Sequence, residues 1–482
     1  MIEQFKYFSK EEVNKFCKFV NSPYFNSNRQ LILLVNYLKS NYPKIDEFHL
    51  NKNAIMSIVY PGQKTDDIKY RRLVSDYTEI FENFLIFQEL EKETVRNKTK
   101  LLNVLKRNNL NKRFIINFNE VQSFQKKQFS KDNTFYENEI ELETDYYYFN
   151  YKKFAKEYAS CLERKSENID LAFIFHKLHC FNEMIYNEYL NNNSFSYNKS
   201  FYEEIFSYIK GNEINIFKKH PNIYIIYNVL LLWKTNDKKY IGSLLKYLDE
   251  NGSKFDKVKL SYYYYYFLSY ISLRINKGED EYRRDALKVF KKMMEKNLFL
   301  TNNTIAHNDF NSVVNITLPL KEYAWLSKFI EKYKNNIEHE FAKDAYNLAL
   351  AKLYFQKKLF DKVFPFLNEV EYKSPEYYLN SKFMLARLYF DMGKIDTISY
   401  VVSNLRQYLR KTKQLNEDQI QITKTFNKYI LKLVRIAMDG MNSNSDWIVF
   451  KKELENEKKF VSNKNWFIEK IGAIEQVQRK YK

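Results

Sequence analysis

The stretch His176-Lys-Leu-His179-Cys180, with Glu183 one turn further on, gathers zinc-type donors within two turns of a helix. Histidine, cysteine and carboxylate make a plausible zinc set, and the i, i+3, i+4 spacing puts 176, 179 and 180 near one face. Phe173, Leu178, Phe181 and Ile185 crowd the same stretch, however. Adjacent residues on a helix also diverge by roughly 100°, so joint coordination by 179 and 180 is awkward. The expectation is that these are core or boundary positions and that no metal or other cofactor is held.

Two aromatic runs, Tyr262–Tyr266 with Phe267 and Tyr146–Tyr148 with Phe149, suggest base stacking, because aromatic platforms flanked by cations bind single strands. The same divergence of roughly 100° per residue prevents five consecutive tyrosines from forming one platform. The expectation is packing, with hydroxyls reaching the wet edge of an interface. Arg71-Arg72, Lys291-Lys292, Lys451-Lys452 and Lys458-Lys459 are candidate phosphate contacts, set among acids such as Asp66, Glu295 and Glu453 that fit a solvated face instead. No H-E-x-x-H, G-x-S-x-G, P-loop or dinucleotide fingerprint occurs, and the eight glycines are isolated. The chain is therefore not read as an enzyme.

The elements that must carry these residues are helices. Among 482 residues only 8 are Gly and 7 are Pro, while Tyr and Phe contribute 41 and 40. Breakers are scarce and apolar residues make up 45%, which excludes collagen-like, linker-like and bulk-disordered classes. Net charge is +19, concentrated as +6 in 201–300 and +8 in 401–482. A basic balance can signal a polyanionic partner, although AT-rich codons also produce Lys- and Asn-rich chains. Cys17, Cys161 and Cys180 are odd in number and far apart, which argues for a reducing compartment. The first residues carry charges where a signal core would lie. The longest uncharged stretches, 220–233 and 260–273, are 14 residues each, below the roughly 18–20 needed to span hydrocarbon. A cytoplasmic protein with no membrane partner is expected.

Ser9-Lys-Glu-Glu12 is a capping box ahead of Val13, Phe16, Cys17 and Val20, which share a helical face. Pro23 ends that helix, Asn26 or Ser27 caps the next over roughly 29–40, and Pro61-Gly62 breaks the chain before a long helix with an acidic start at Asp66-Asp67. Residues 1–92 thus read as an N-terminal helical unit of four helices, 93–135 as a connecting helical segment, 136–410 as helical repeats and 411–482 as capping helices.

The repeat emerges on laying the C-terminal half against itself. Leu350-Ala351, Tyr354, Phe360, Val363 and Leu367 reappear after a shift of 35 as Leu385-Ala386, Tyr389, Ile395, Ile398 and Val402. A weaker upstream copy, displaced by 37, has Val313-Val314, Thr317, Tyr323, Leu326 and Ile330. This resembles the tetratricopeptide (TPR) repeat, in which each helix pair buries its apolar face on the next. It departs from that pattern at Val363 and Ile398, which stand where a small residue is usual. With its Ser22–Asn26 and Pro61-Gly62 turns and closing Trp466–Ile471 helix, the chain resembles a family of uncharacterised bacterial TPR-like helical-repeat proteins with an N-terminal helical unit. The resemblance implies an all-α fold, an α-solenoid of antiparallel helix pairs with an N-terminal helical bundle, and no particular activity.

In that register the inner face of the first helices carries Ala345 and Lys352, then Asn380 and Arg387, with Phe355, Gln356, Phe390 and Asp391 a turn further on. Lys352, Asn380 and Arg387 are candidates to hold backbone carbonyls or a carboxylate of an extended peptide, and Phe355 and Phe390 to supply apolar contact. Solvating or packing the groove is the alternative role for these side chains. The expected function is a non-enzymatic scaffold or adaptor for a protein or peptide partner. A nucleic-acid-associated protein using basic helical surfaces is the alternative.

Overall fold

The computed structural model describes residues 2–151, 159–191, 195–372, 374–412, 415–438, 446–457 and 461–480. Among them there is no strand; the only ladder-type contacts are isolated bridges, Thr301 to Thr304 and Ile305 to Ile337. The protein is all-α, as composition and periodicity imply, and it forms two compact units: residues 1–177 with 208–223, and residues 178–207 with 224–482.

The first unit begins with a 3-10 turn, Ile2–Tyr7, and four helices, Lys10–Val20 (α1), Arg29–Asn41 (α2), Lys52–Val59 (α3) and Asp67–Lys92 (α4). The capping box at Ser9 forms: Glu12 N–H donates to Ser9 Oγ (3.3 Å) and Ser9 N–H to Glu12 Oε2 (2.7 Å). The cap of α2 is Asn28 rather than Asn26 or Ser27. Asn28 Oδ1 accepts from Gln30 N–H (3.0 Å), and its Nδ2 donates to Asp76 on α4 (2.9 Å). Asn26 is spent on the turn itself, donating to the Val20 carbonyl (2.8 Å) and accepting from Asn28 N–H (2.9 Å). Phe8, Phe16, Tyr77, Phe81 and Phe84 interlock beneath it, with Phe8 stacked on Phe81 at 5.2 Å, so aromatic area supplies this core.

In place of one connecting helix over 93–135, the chain makes two, Thr94–Arg107 (α5) and Asn111–Lys127 (α6). The break falls where Asn109 takes a left-handed backbone (φ 55°), a conformation that asparagine tolerates better than most side chains. Both helices pack on Asn133–Asn150 (α7), where Phe114 stacks on Phe149 at 4.0 Å and Phe118 on Tyr146 at 4.4 Å. The two most deeply buried acidic residues of α7, Glu143 and Asp145, are paired. Asp145 accepts from Lys106 Nζ (2.6 Å), and Glu143 takes a two-pronged pair from Arg164 (both 2.7 Å). Tyr136 OH lies 2.9 Å from His220 Nδ1 in the interior, and burial beside Lys131 and Lys219 holds that imidazole down to about 3, hence neutral.

Ala159–Leu190 (α8), Tyr202–Gly211 (α9), Glu213–Lys219 (α10) and Pro221–Thr235 (α11) follow; α8, α9 and α11 have residues in both units. The second unit continues through Lys239–Asn251 (α12), Lys257–Asn276 (α13), Tyr282–Glu295 (α14), His307–Thr317 (α15), Tyr323–Tyr333 (α16), Ala342–Gln356 (α17), Val363–Asn368 (α18), Pro375–Asp391 (α19), Asp396–Lys411 (α20), Glu417–Met438 (α21), Asp446–Asn456 (α22) and Lys464–Lys480 (α23). The three sequence copies are the pairs α15/α16, α17/α18 and α19/α20. Partners within a pair touch, and α15, α17, α19, α21 and α23 also touch in succession. Val363 and Ile398, large where a small residue is usual, are fully buried. No described helix is long and apolar enough to cross a membrane.

Candidate functional site

The helices α15, α17 and α19 touch in succession and carry the candidate residues singled out in the sequence. Pro375 at the first position of α19, preceded by Ser374 in extended geometry, fixes where that helix starts and so which side chains face α17. Lys352 on α17 donates to Asn315 Oδ1 on α15 at 2.9 Å. Asn315, Lys352 and Arg387 are 37 and 35 residues apart, the same shifts at which the sequence resembles itself, and they stand on α15, α17 and α19. Asn315 is absent from the sequence-derived set; carrying Lys352 back through the shift of 37 identifies it.

Arg387 is 8% exposed and makes neither a hydrogen bond nor an ion pair among the described residues; its Nε is fully enclosed without an acceptor. Instead the guanidinium lies 4.8 Å from the Phe355 ring centre and 6.0 Å from that of Trp466. Asp391, the carboxylate nearest in sequence, is engaged elsewhere, accepting from Trp466 Nε1 (3.2 Å) and Lys470 Nζ (2.9 Å). Burial pushes the Arg387 guanidinium down to about 10, against the pull of Asp391. It pushes the half-buried Lys352 ammonium down to about 8, with Arg387 adding to the effect and Glu376 opposing it. Two cations thus share a face without a paired anion, where isolated charge is costly.

The remaining candidates sort around this pair. Phe355 is buried beneath Arg387 and so belongs to its packing. Phe390 is half-buried and meets Trp466 edge-on at 5.4 Å. Asn380 is half-buried on α19, Gln356 is exposed at the end of α17, and Ala345 is enclosed. Trp466 and Lys470, which complete the wall, come from the closing helix; local spacing gave no signal of that contact.

The other constellations take structural places. His179 Nδ1 lies 2.7 Å from Tyr266 OH, His176 and Cys180 are exposed, and no group of three His, Cys, Asp or Glu among the described residues is placed to hold a metal ion. The tyrosine run divides around α13: Tyr263, Tyr264 and Phe267 are buried, Tyr262 is exposed, and Tyr265 donates to Asp309 on α15 at 2.7 Å. Burial, with Glu338 nearby, raises the Asp309 carboxyl above its ordinary value. Lys291 pairs with Glu322 (2.9 Å) and Lys292 with Asp249 and Glu295 (both 3.3 Å), whereas Arg71 and Arg72 are exposed. Lys458-Lys459 lies outside the described residues. Comparison with protein-family models, curated proteins and solved structures finds no match to this chain.

Proposed function

We propose that the protein is a non-enzymatic adaptor, a TPR-like α-solenoid whose first helices present a groove to a protein or peptide partner, and that the Lys352/Arg387 pair receives a carboxylate of that partner. The observation that carries this reading is Arg387, a nearly enclosed cation with aromatic rings on its faces and no anion of its own. Such a group costs stability unless something outside the chain satisfies it. A carboxylate suits it because a guanidinium offers a planar fork of donors matched to two oxygens. Phe390 and Trp466 stand beside the charge and favour an apolar side chain next to that carboxylate. The succession of touching helices from α15 to α23 supports the solenoid.

An array of synthetic peptides with free C-termini, matched one by one to C-terminally amidated versions, tests the reading. Binding should favour the free acids and be lost in Lys352→Glu and in Arg387→Met at unchanged helicity. Equal binding of free and amidated sets, with binding unaffected by both substitutions, refutes it.

A further inference from the structure

The α5–α6 hairpin carries nine basic residues and one acid over Thr94–Lys127. The acid, Glu120, is already paired with Lys98. Lys100, Arg107, Lys112, Arg113 and Lys127 are exposed and make no ion pair among the described residues. Helix stability accounts for Arg107 and Lys127, which stand in the last turns of α5 and α6, but not for the others. Lys112 and Arg113 stand in the first turn of α6, where the helix dipole disfavours cations, and Leu110 at the N-cap offers no capping oxygen. α6 packs chiefly on α5 and α7, and Lys112, Ile115, Ile116, Asn119 and Ser123 along it are exposed. Large aliphatic side chains sit among the cations: Leu110 and Ile116 are each half exposed, and Val104, Leu101 and Ile115 lie only slightly deeper.

We infer that the tip of this hairpin is a docking surface for an anionic phospholipid bilayer, with the cations on the headgroups and Leu110 and Ile116 at the acyl boundary. The exposed ring of this hairpin, Phe124, stands near the far end of α6, whereas the exposed apolar side chains around the tip are aliphatic, and these decide between the polyanions. Neutralising a nucleic-acid backbone uses cations and stacking rings, and exposed leucine and isoleucine add nothing there. At a lipid interface the same side chains supply the second of the two signals, charge plus apolar insertion, that stable surface attachment requires. Contact of this kind needs no spanning helix, so the lack of one among the described residues does not oppose it. It amends the expectation of no membrane partner, which rests on spanning length.

Flotation of the full chain with phosphatidylcholine vesicles, with and without about 30% phosphatidylglycerol, provides the test. Binding is expected to the anionic vesicles only, weakening steeply from about 0.1 to 0.5 M salt. Reversing Arg107, Lys112 and Arg113 to Glu should weaken it at least about tenfold, as should Leu110→Ser with Ile116→Ser. These positions are exposed, so melting curves should match the parent; if either multiple variant melts early, the single Lys112→Glu carries the same readout. Failure to float with anionic vesicles, equal binding to neutral ones, or indifference to the two serines overturns the inference. So does salt-sensitive retention of RNA or duplex DNA without vesicle binding.

Discussion

Replacing Arg387 with methionine should make the protein more stable while removing its capacity to bind. The descent of the guanidinium from its ordinary value to about 10 corresponds to roughly 3 kcal/mol against the charged form, at about 1.4 kcal/mol per tenfold. Stacking on Phe355 and Trp466 returns about 1–2 kcal/mol of that. Methionine keeps apolar contact with both rings but leaves a small gap, so a net gain of about 1 kcal/mol is expected. Urea unfolding at unchanged slope gives the global difference, and amide exchange along α17 and α19 isolates the local one. Free-acid peptides should lose binding to the same variant. A loss of more than about 1 kcal/mol would show Arg387 to be a structural prop and would refute its assignment to a ligand.

A bound carboxylate should restore Lys352 toward ordinary lysine behaviour, so peptide affinity should fall about tenfold from pH 7 to pH 9 as the free protein loses that proton near 8. Glu376 and Arg387 face the same ammonium in opposite senses, and Lys352→Arg should flatten the profile; a flat parent profile by calorimetry would count against the pairing. His220 is held well below its unfolded value, so the unfolded chain binds the extra proton first. The first unit should therefore lose stability as the pH falls from about 6.5 toward 3, an effect absent in His220→Gln, measured by acid titration of amide exchange. Asn28→Ala removes the α2 cap and leaves Asp76 without its donor; a loss of about 1 kcal/mol in urea unfolding is expected, and no change would mean that the turn holds without it.

Local chemistry made much of the fold legible. The Ser9–Glu12 box, the break at Pro23 and the shifts of 35 and 37 each correspond to an element or pair boundary, because caps, breakers and repeat periods act within a few turns of chain. Lys352 and Arg387 were legible through the same register. Their environment was not, since Trp466 reaches Arg387 from a helix far along the chain and Phe355 is buried rather than open. The basic hairpin escaped counts in blocks of one hundred because α7, with five acids and no Lys or Arg, follows it directly and cancels its charge.

Trp466 gives the candidate site a place in the order of synthesis. Arg387 and Lys352 leave the ribosome well before the tryptophan that completes the wall around them, so a nascent chain displays its cations while they are still solvated and only later encloses them. If the pair receives a carboxylate as proposed, docking of α23 completes its site, and a product halted before Trp466 is expected to be helical yet indiscriminate.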